Sequence, residues 1–140
     1  MVIIFYFLCQ ISAACVDSAL QNVDNRQTMR DGGWILDIDE YQNYGHCCME
    51  PKTFWGYKHK SPVGVVKATF KGSGKATLNF GNCYEGGVTK AYLNDLEIGS
   101  ASSYQYPNKT FNFNKGDTLK LTEEDSGIIK INSLSLSGCQ

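Results

Sequence analysis

The chain has 140 residues, with 13 Lys and Arg against 14 Asp and Glu, a formal net charge of −1 and 42% hydrophobic residues. This length and composition are typical of one globular domain and not of a disordered chain. A net charge so close to zero gives no long-range field that would hold a polyanion, which argues against a dedicated DNA- or RNA-binding protein.

The N-terminal residues predict a secretory signal peptide. Residues 1–14 carry no charged side chain, and the apolar block Val2 to Leu8 gives way to the small residues Ser12, Ala13 and Ala14. The block is too short to span a hydrocarbon core of about 30 Å, so a retained membrane helix is disfavoured. A buried first strand is disfavoured as well, because nothing in the block alternates with polar residues.

Cysteine counting chooses between two cleavage points. Small residues permit cleavage after Ala14 or after Cys15, and six cysteines are present in the chain. Cleavage after Cys15 leaves an even number, so we prefer it and interpret residues 1–15 as the signal peptide. The segment 12–15 also loosely resembles a bacterial lipoprotein box, which makes lipidation the alternative. The cysteines that remain are Cys47, Cys48, Cys83 and Cys139.

These four cysteines are interpreted as two disulfides, because an exported chain folds in an oxidising compartment. Adjacent cysteines seldom bridge each other, so Cys47 and Cys48 are expected to bond to Cys83 and Cys139 in one of two orders. Loops of these lengths contribute about 3 to 4 kcal/mol each by chain entropy. Zinc is disfavoured, because a second closely spaced pair of ligands is missing.

The first part of the mature chain is a lead-in followed by two short strands. The polar segment Asp17 to Arg30 suits either a short helix or an extended chain, so residues 16–33 are assigned only as a lead-in. A strand is predicted around Trp34 to Ile38, and another at Thr53 to Tyr57.

A hairpin is predicted from Val65–Lys71 and Lys75–Phe80, around the loop 72–74. Only a three-residue loop sets the apolar side chains of both segments on one face, for example Val66 opposite Phe80.

A second hairpin is predicted from Val88–Leu93 and Leu96–Ile98. A two-residue turn sets Leu93 opposite Leu96 and Ala91 opposite Ile98, and Asn at the first turn position tolerates the positive φ of a type I′ turn.

The C-terminal third predicts three more strands. Phe111–Phe113 and Thr118–Leu121 form either a third hairpin or, in a sandwich, strands of different sheets. The final segment Ile128–Cys139 changes phase, so a β-bulge is expected near Asn132–Ser133. The eight or nine strands together predict an all-β, two-sheet antiparallel β-sandwich over residues 34–140, with two disulfides.

The order of these signals resembles the small jelly-roll modules of the galactose-binding-like class, which include the carbohydrate-binding modules of secreted proteins. The resemblance is architectural, covers Trp34 to Cys139, and is also shared with single-domain secreted invertebrate proteins of undefined role. It implies a jelly-roll fold, a protein that binds without catalysing and, by analogy of fold, a structural calcium ion. The segments that carry it are Gly74–Cys83, Val88–Ile98, Gly116–Leu121 and Ile128–Leu134.

Aromatic side chains in weakly structured segments are the candidate ligand-binding residues. Flat rings with polar tips can stack on the apolar face of a sugar while neighbouring polar groups bind its hydroxyls. The alternative is that the same rings pack inside one end of the sandwich, as large aromatic side chains often do. The candidates are Tyr44, His46, Trp55, Tyr57, His59, Tyr104 and Tyr106.

Charge is unevenly distributed along the chain. Residues 15–50 carry 7 acids and 2 bases, whereas residues 51–84 carry 6 bases and no acid. The basic middle favours acidic glycans or anionic surfaces, or it only solvates the outer faces of strands. Two acidic groups are candidate calcium ligands, although neither has EF-hand spacing. They are Asp37, Asp39 and Glu40, and Glu123, Glu124 and Asp125.

The single N-glycosylation sequon, Asn108-Lys109-Thr110, predicts a glycan on Asn108 in a surface loop.

Catalytic motifs are missing: there is no Gly-x-Ser-x-Gly elbow, no His-Glu-x-x-His and no glycine-rich phosphate loop. The first hypothesis is therefore a secreted, non-enzymatic, lectin-like module that binds a carbohydrate or glycoconjugate. The alternative is a structural protein of the extracellular matrix, with other matrix proteins as partners, and the third is a small secreted hydrolase. We expect no cofactor apart from calcium, no nucleic-acid partner and no membrane span.

Overall fold

The computed structural model describes residues 15–40, 53–58 and 63–139. Within these ranges the chain forms nine strands in two antiparallel sheets, which confirms the predicted all-β sandwich. The segment before the first strand forms a 3-10 turn at Ser18–Gln21 and a short helix, α1, at Arg26–Asp31. No helix among the described residues is both long enough and apolar enough to cross a membrane.

One sheet has five strands in the order β1-β3-β8-β5-β6, and the other has four in the order β2-β9-β4-β7. The strands are β1 (Ile35–Asp37), β2 (Phe54–Gly56), β3 (Val65–Thr69), β4 (Gly74–Asn82), β5 (Val88–Leu93), β6 (Leu96–Ala101), β7 (Asn108–Phe113), β8 (Thr118–Glu124) and β9 (Ile129–Ser137).

The core lies between the two sheets and extends to the segment before β1. Leu20, Val23 and Met29 from that segment are buried in the same apolar cluster as the strand residues. Trp34 is also buried there, and its indole N–H donates to the carbonyl of Leu20 at 3.0 Å. The largest fully buried side chains contributed by and around the strands are Phe54, Phe70, Phe80, Phe113, Lys130, Leu78, Leu119, Leu121, Ile128, Ile129 and Ile131.

Helix α1 is short but capped at its start. The side-chain oxygen of Asn25 accepts a hydrogen bond from the backbone N–H of Thr28 at 3.0 Å, and the hydroxyl of Thr28 accepts one from the backbone N–H of Asn25 at 3.2 Å. This reciprocal capping box satisfies two backbone donors that a helix start leaves unpaired. Met29 anchors the helix in the core, which leaves Arg26 and Arg30, four residues apart, on a common face.

The prediction that β3 and β4 form a hairpin is wrong. Strand β3 pairs with β1 and β8, whereas β4 pairs with β7 and β9 in the other sheet. The connection between them crosses from one sheet to the other, and Asp17 holds it by accepting hydrogen bonds from the backbone of Lys71 and Gly72 at 2.7 and 3.0 Å. The apolar faces of β3 and β4 therefore lie in different sheets and face the common core. The alternation of apolar and polar residues is the same in this arrangement as in a hairpin, so the sequence pattern does not distinguish the two.

The second hairpin, β5–β6, is confirmed. Leu93 lies opposite Leu96, and the turn residues Asn94 and Asp95 have φ values of 51° and 64°, as a type I′ turn requires. A register shift next to Ala91 then sets this residue opposite Gly99, one residue later than predicted.

Strands β7 and β8 lie in different sheets, which was the second of the two arrangements that the sequence left open. The bulge predicted in the last strand is confirmed. Asn79 pairs with Ser133 while Phe80 pairs with Ile131, so Asn132 is the extra residue of β9.

A disulfide joins Cys15 to Cys139 across a sequence separation of 124 residues. The expected bond from Cys139 to Cys47 or Cys48 is therefore wrong. Closing a loop of this length contributes about 5 kcal/mol by chain entropy. Cleavage after Cys15, the preferred point, would remove one half of this bridge, whereas cleavage after Ala14 would keep it.

Cys83 is disulfide-bonded too, as predicted. Cys47 and Cys48 lie outside the described residues, so their pairing stays a prediction. The signal peptide also lies outside them.

Candidate functional site

Trp55 lies on β2, the edge strand of the four-stranded sheet that pairs only with β9. Side chains alternate along a strand, so the neighbouring Phe54 is buried in the core while Trp55 points to the outer face and is half-buried. Trp55 thus combines a fixed backbone with a partly accessible ring.

A cleft of about 420 Å³ opens beside this ring. Helix α1 and the residue before it form one wall with Asn25, Arg26 and Arg30, and Glu40 also lines the cleft. The other wall consists of Thr53 and the strand residues that follow it. The cleft therefore brings an indole together with amide, hydroxyl, guanidinium and carboxylate groups.

Arg26 connects the two walls. Its guanidinium carbon lies 5.6 Å from the centroid of the Trp55 ring, which is cation–π geometry. The same side chain donates a hydrogen bond to the carbonyl of Asp39 and lies 3.4 Å from a carboxylate oxygen of Glu40. The backbone N–H of Asp39 in turn donates to the carbonyl of Tyr57 at 2.8 Å. Arg26 is only 9% exposed, so these contacts fix it in one position.

Glu40 accepts hydrogen bonds from both Arg26 and Arg30. Its own side chain is 62% exposed. The hydrogen bond from Arg30, against a smaller opposing effect of burial, together with the positive charges of both arginines, holds the pKa of Glu40 below its usual value. Glu40 is thus an ionised, solvent-facing carboxylate held between two guanidinium groups.

Tyr57 packs beside Trp55 in a small buried cluster that is separate from the main core. It is 9% exposed and packs with Cys83 and Ile128, and Trp55 packs against this group. The rings of Trp55 and Tyr57 are nearly parallel, with centroids 6.4 Å apart. The structure therefore buries one predicted binding residue, Tyr57, and leaves the other partly accessible.

Tyr104 and Tyr106 lie on the β6–β7 loop and do not line the cleft. They are 52% and 37% exposed. Tyr104 has a φ of 57°, a conformation that is uncommon for a bulky residue, and its backbone N–H donates to the carbonyl of Asn82 at 2.9 Å. The ring of Tyr106 lies directly over Gly81, where an added Cβ would be only 2.2 Å from the ring. The loop that carries these two tyrosines is thus anchored to β4, away from the cleft.

Tyr44, His46 and His59 lie outside the described residues, so their roles stay predictions. Conversely, sequence reasoning did not single out Arg26, Arg30 or Glu40 as ligand-binding candidates, although all three line the cleft. A signal was present, because Arg26 and Arg30 are the only two bases of residues 15–50.

At least four of the six candidate calcium carboxylates have protein partners in the structure. Asp37 pairs with Lys58 at 2.8 Å, Glu124 lies 3.4 Å from Lys90, and Glu40 is paired as described above. The buried carboxylate of Glu123 accepts the backbone N–H of Gly64 at 2.9 Å, and burial nevertheless raises the pKa of this group. Across the described ranges no group of three His, Cys, Asp or Glu side chains converges, and the calcium ion stays a prediction.

Asn108 is the first residue of β7, at the open edge of the four-stranded sheet, and not part of a loop as predicted. It is exposed, and its side-chain oxygen accepts a hydrogen bond from the amide of Asn79 at 2.8 Å.

No family model and no curated protein sequence matches this chain. Similar solved structures are carbohydrate-binding modules, the class that the sequence resembles. A family 35 module from Paenibacillus barcinonensis has a TM-score of 0.44 at 13% identity, covering 76% of this chain and 93% of that one. A family 35 module from Clostridium thermocellum has a TM-score of 0.39 at 17% identity, covering 72% and 88%. A family 36 module, solved with calcium and xylotriose, has a TM-score of 0.35 at 12% identity, covering 74% and 98%.

Proposed function

We propose that this chain is a secreted, non-enzymatic carbohydrate-recognition module whose binding site is the cleft beside Trp55. The ligand is held by stacking and hydrogen bonds, and none of its bonds is broken. The Cys15–Cys139 bridge supports secretion, because disulfides persist in oxidising compartments. A glycan on Asn108, exposed at the sheet edge, belongs to the same proposal.

The observation that carries the proposal is the pairing of a fixed, half-buried indole with polar groups in one cleft of about 420 Å³. This volume lies within the usual range for small-ligand sites, about 300 to 1,000 Å³. A sugar presents an apolar ring face and a rim of hydroxyls, which match an aromatic ring and its polar surroundings. Because Arg26 and Tyr57 already hold Trp55 in place, little conformational freedom is lost when a ligand binds.

A second candidate function is that of a structural extracellular protein without a small ligand. The observation that favours it is the contact of Trp55 with the buried group of Tyr57, Cys83 and Ile128. On this alternative the ring of Trp55 contributes packing only, and the protein assembles with other matrix components.

Binding of Trp55→Ala and Trp55→Phe to an array of immobilised glycans separates the two functions. Tyr92→Ala is the matched control, because Tyr92 also carries a cation over its ring, Lys120 at 4.9 Å, but on the other sheet. We expect Trp55→Ala to lose at least about tenfold in affinity, the equivalent of one good contact, while Tyr92→Ala binds as the parent does.

Trp55→Phe keeps an aromatic side chain against Tyr57, so it is expected to fold normally and to bind with intermediate affinity. Circular dichroism and the melting temperature are measured for each variant. Unchanged glycan binding by a folded Trp55→Ala protein would refute the proposal. A parent protein that binds no glycan, together with a loss of folding in Trp55→Ala, would favour the structural alternative.

A further inference from the structure

Basic side chains predominate among the charged residues that line the cleft, although the surrounding sequence is mostly acidic. Residues 15–50 carry seven acids and only two bases, and both bases, Arg26 and Arg30, line the cleft. Among the described lining residues these two cations face a single anion, Glu40. Positive charge is therefore concentrated at the place where the ring of Trp55 is accessible.

The two arginines have different degrees of freedom. Arg26 is 9% exposed and fixed by the carbonyl of Asp39 and the ring of Trp55. The side chain of Arg30 is 37% exposed, and its described partner in the cleft is Glu40. Both guanidinium groups thus converge on one carboxylate, one from a fixed position and the other from the solvent side.

The carboxylate that they share can be exchanged at low cost. The side chain of Glu40 is 62% exposed, and ion pairs at such exposed positions contribute little to stability. A guanidinium binds a planar carboxylate or a sulfate through two parallel hydrogen bonds, which an ammonium group does not. An anionic group of a ligand would therefore occupy the position of the Glu40 carboxylate, and Glu40 would compete with the ligand for the two guanidinium groups.

We propose, building on the proposed carbohydrate site, that the cleft selects acidic glycans. Arg30 and Arg26 hold an anionic oxygen group of the ligand in place of the Glu40 carboxylate, while the sugar ring lies along Trp55. The anionic group is a uronate carboxylate or a sulfate ester, which share the same recognition chemistry, and Glu40 lowers the affinity for both.

The experiment compares matched polymers by titration calorimetry. Polygalacturonate is compared with its methyl ester, and dextran sulfate with dextran, so that each pair differs in charge on the same sugar backbone. The variants are Arg30→Gln and Glu40→Gln. The matched controls are Lys120→Gln and Asp95→Asn, because Lys120 and Asp95 form an exposed ion pair at 3.0 Å on the other sheet.

We expect tighter binding of at least one acidic polymer than of its neutral counterpart, and the arm that shows it identifies carboxylate or sulfate. Arg30→Gln is expected to lose about tenfold in affinity for that polymer, the effect of one charge-assisted contact. Glu40→Gln is expected to gain a few-fold. Both controls leave the preference unchanged.

The inference fails if the parent binds charged and neutral polymers equally, or if Lys120→Gln reduces binding as much as Arg30→Gln does, which would indicate attraction by surface charge alone. It also fails if Glu40→Gln has the parent's affinity at an unchanged melting temperature, because Glu40 would then be only a structural partner. If the inference fails in one of these ways but Trp55→Ala still loses binding of neutral glycans, the proposed carbohydrate site remains supported. If Trp55→Ala binds every polymer as the parent does, both the carbohydrate site and its preference for acidic glycans are refuted.

Discussion

The guanidinium of Arg26 lies over the ring of Trp55, 5.6 Å from its centroid, and joins helix α1 to strand β2. The contact connects a segment outside both sheets to the edge strand of one of them. The candidate site is thus assembled from two separate parts of the chain, and this contact joins them.

Removing the donors of Arg26 is expected to destabilise the fold. Arg26→Met keeps most of the side-chain volume but loses the hydrogen bonds to Asp39 and Glu40. We expect the free energy of unfolding to fall by about 1.5 to 3 kcal/mol, the usual contribution of hydrogen bonds from charged groups. Urea denaturation measures it. The matched variant Arg30→Met removes a more exposed arginine and is expected to cost less than about 1 kcal/mol; equal losses in the two variants would contradict this account.

The disulfide between Cys15 and Cys139 predicts a covalent link that can be detected directly and a loss of stability when it is removed. Peptide mapping by mass spectrometry under non-reducing conditions is expected to find these two residues linked. Cys15→Ser, Cys139→Ser and the double variant are each expected to lose about 3 to 5 kcal/mol, because all three open the same long loop. A link from Cys139 to Cys47 or Cys48 would show that the bridge is misassigned.

Burial of Glu123 predicts a pH dependence of stability. Burial raises the pKa of Glu123 in the folded state above the reference value of 4.5. Such a group stabilises the folded state fully below the unfolded pKa, and this contribution is lost as the pH rises through the folded pKa. Glu123→Gln keeps an oxygen to accept the N–H of Gly64 but does not titrate.

The stability difference between the parent and Glu123→Gln isolates this group from the other carboxylates. We expect the parent to lose stability relative to the variant as the pH rises from about 4 to about 7, measured by urea denaturation at several pH values. A parent that instead gains stability relative to the variant over this range would show that the folded pKa of Glu123 is lowered.

The close approach of Tyr106 to Gly81 predicts a steric effect. A Cβ at Gly81 would lie 2.2 Å from the ring and 2.3 Å from the carbonyl of Gln105, so Gly81→Ala is expected to displace the loop and cost about 1 to 3 kcal/mol. Gly99→Ala is the control, because its Cβ would chiefly meet the flexible end of Lys109, and a smaller loss is expected. Thermal unfolding compares the two, and a larger loss in Gly99→Ala would contradict the packing described for Tyr106.

The pairing of strands joined by a short turn was predictable from the sequence, whereas the assignment of strands to one sheet or the other was not. The β5–β6 hairpin follows from the turn Asn94–Asp95, whose chemistry sets the register within a few residues. The apolar alternation of β3 and β4 is satisfied equally well by pairing within a sheet and by facing across the core, and only long-range contacts decide between them.

The candidate site was predicted in part. Trp55 was identified because a large ring in a weak strand is unusual, but Arg26 and Arg30 were missed since a six-residue helix has too little apolar periodicity to be recognised. Its capping box, Asn25 with Thr28, was a second available signal, beside the isolated pair of bases. Cys15 was excluded because an even number of mature cysteines was preferred, whereas the structure bonds Cys15 to Cys139.

Tryptophan fluorescence tests the central claim most directly. The chain has two tryptophans: Trp34 is buried in the core, and only Trp55 borders the cleft. Titrating the protein with a glycan that it binds is expected to shift the emission to shorter wavelength and to protect it from acrylamide quenching, because the sugar covers Trp55. Both changes are expected to disappear in Trp55→Phe, which keeps Trp34. Binding measured by calorimetry without any change in emission, or a change that persists in Trp55→Phe, would place the site elsewhere on the molecule.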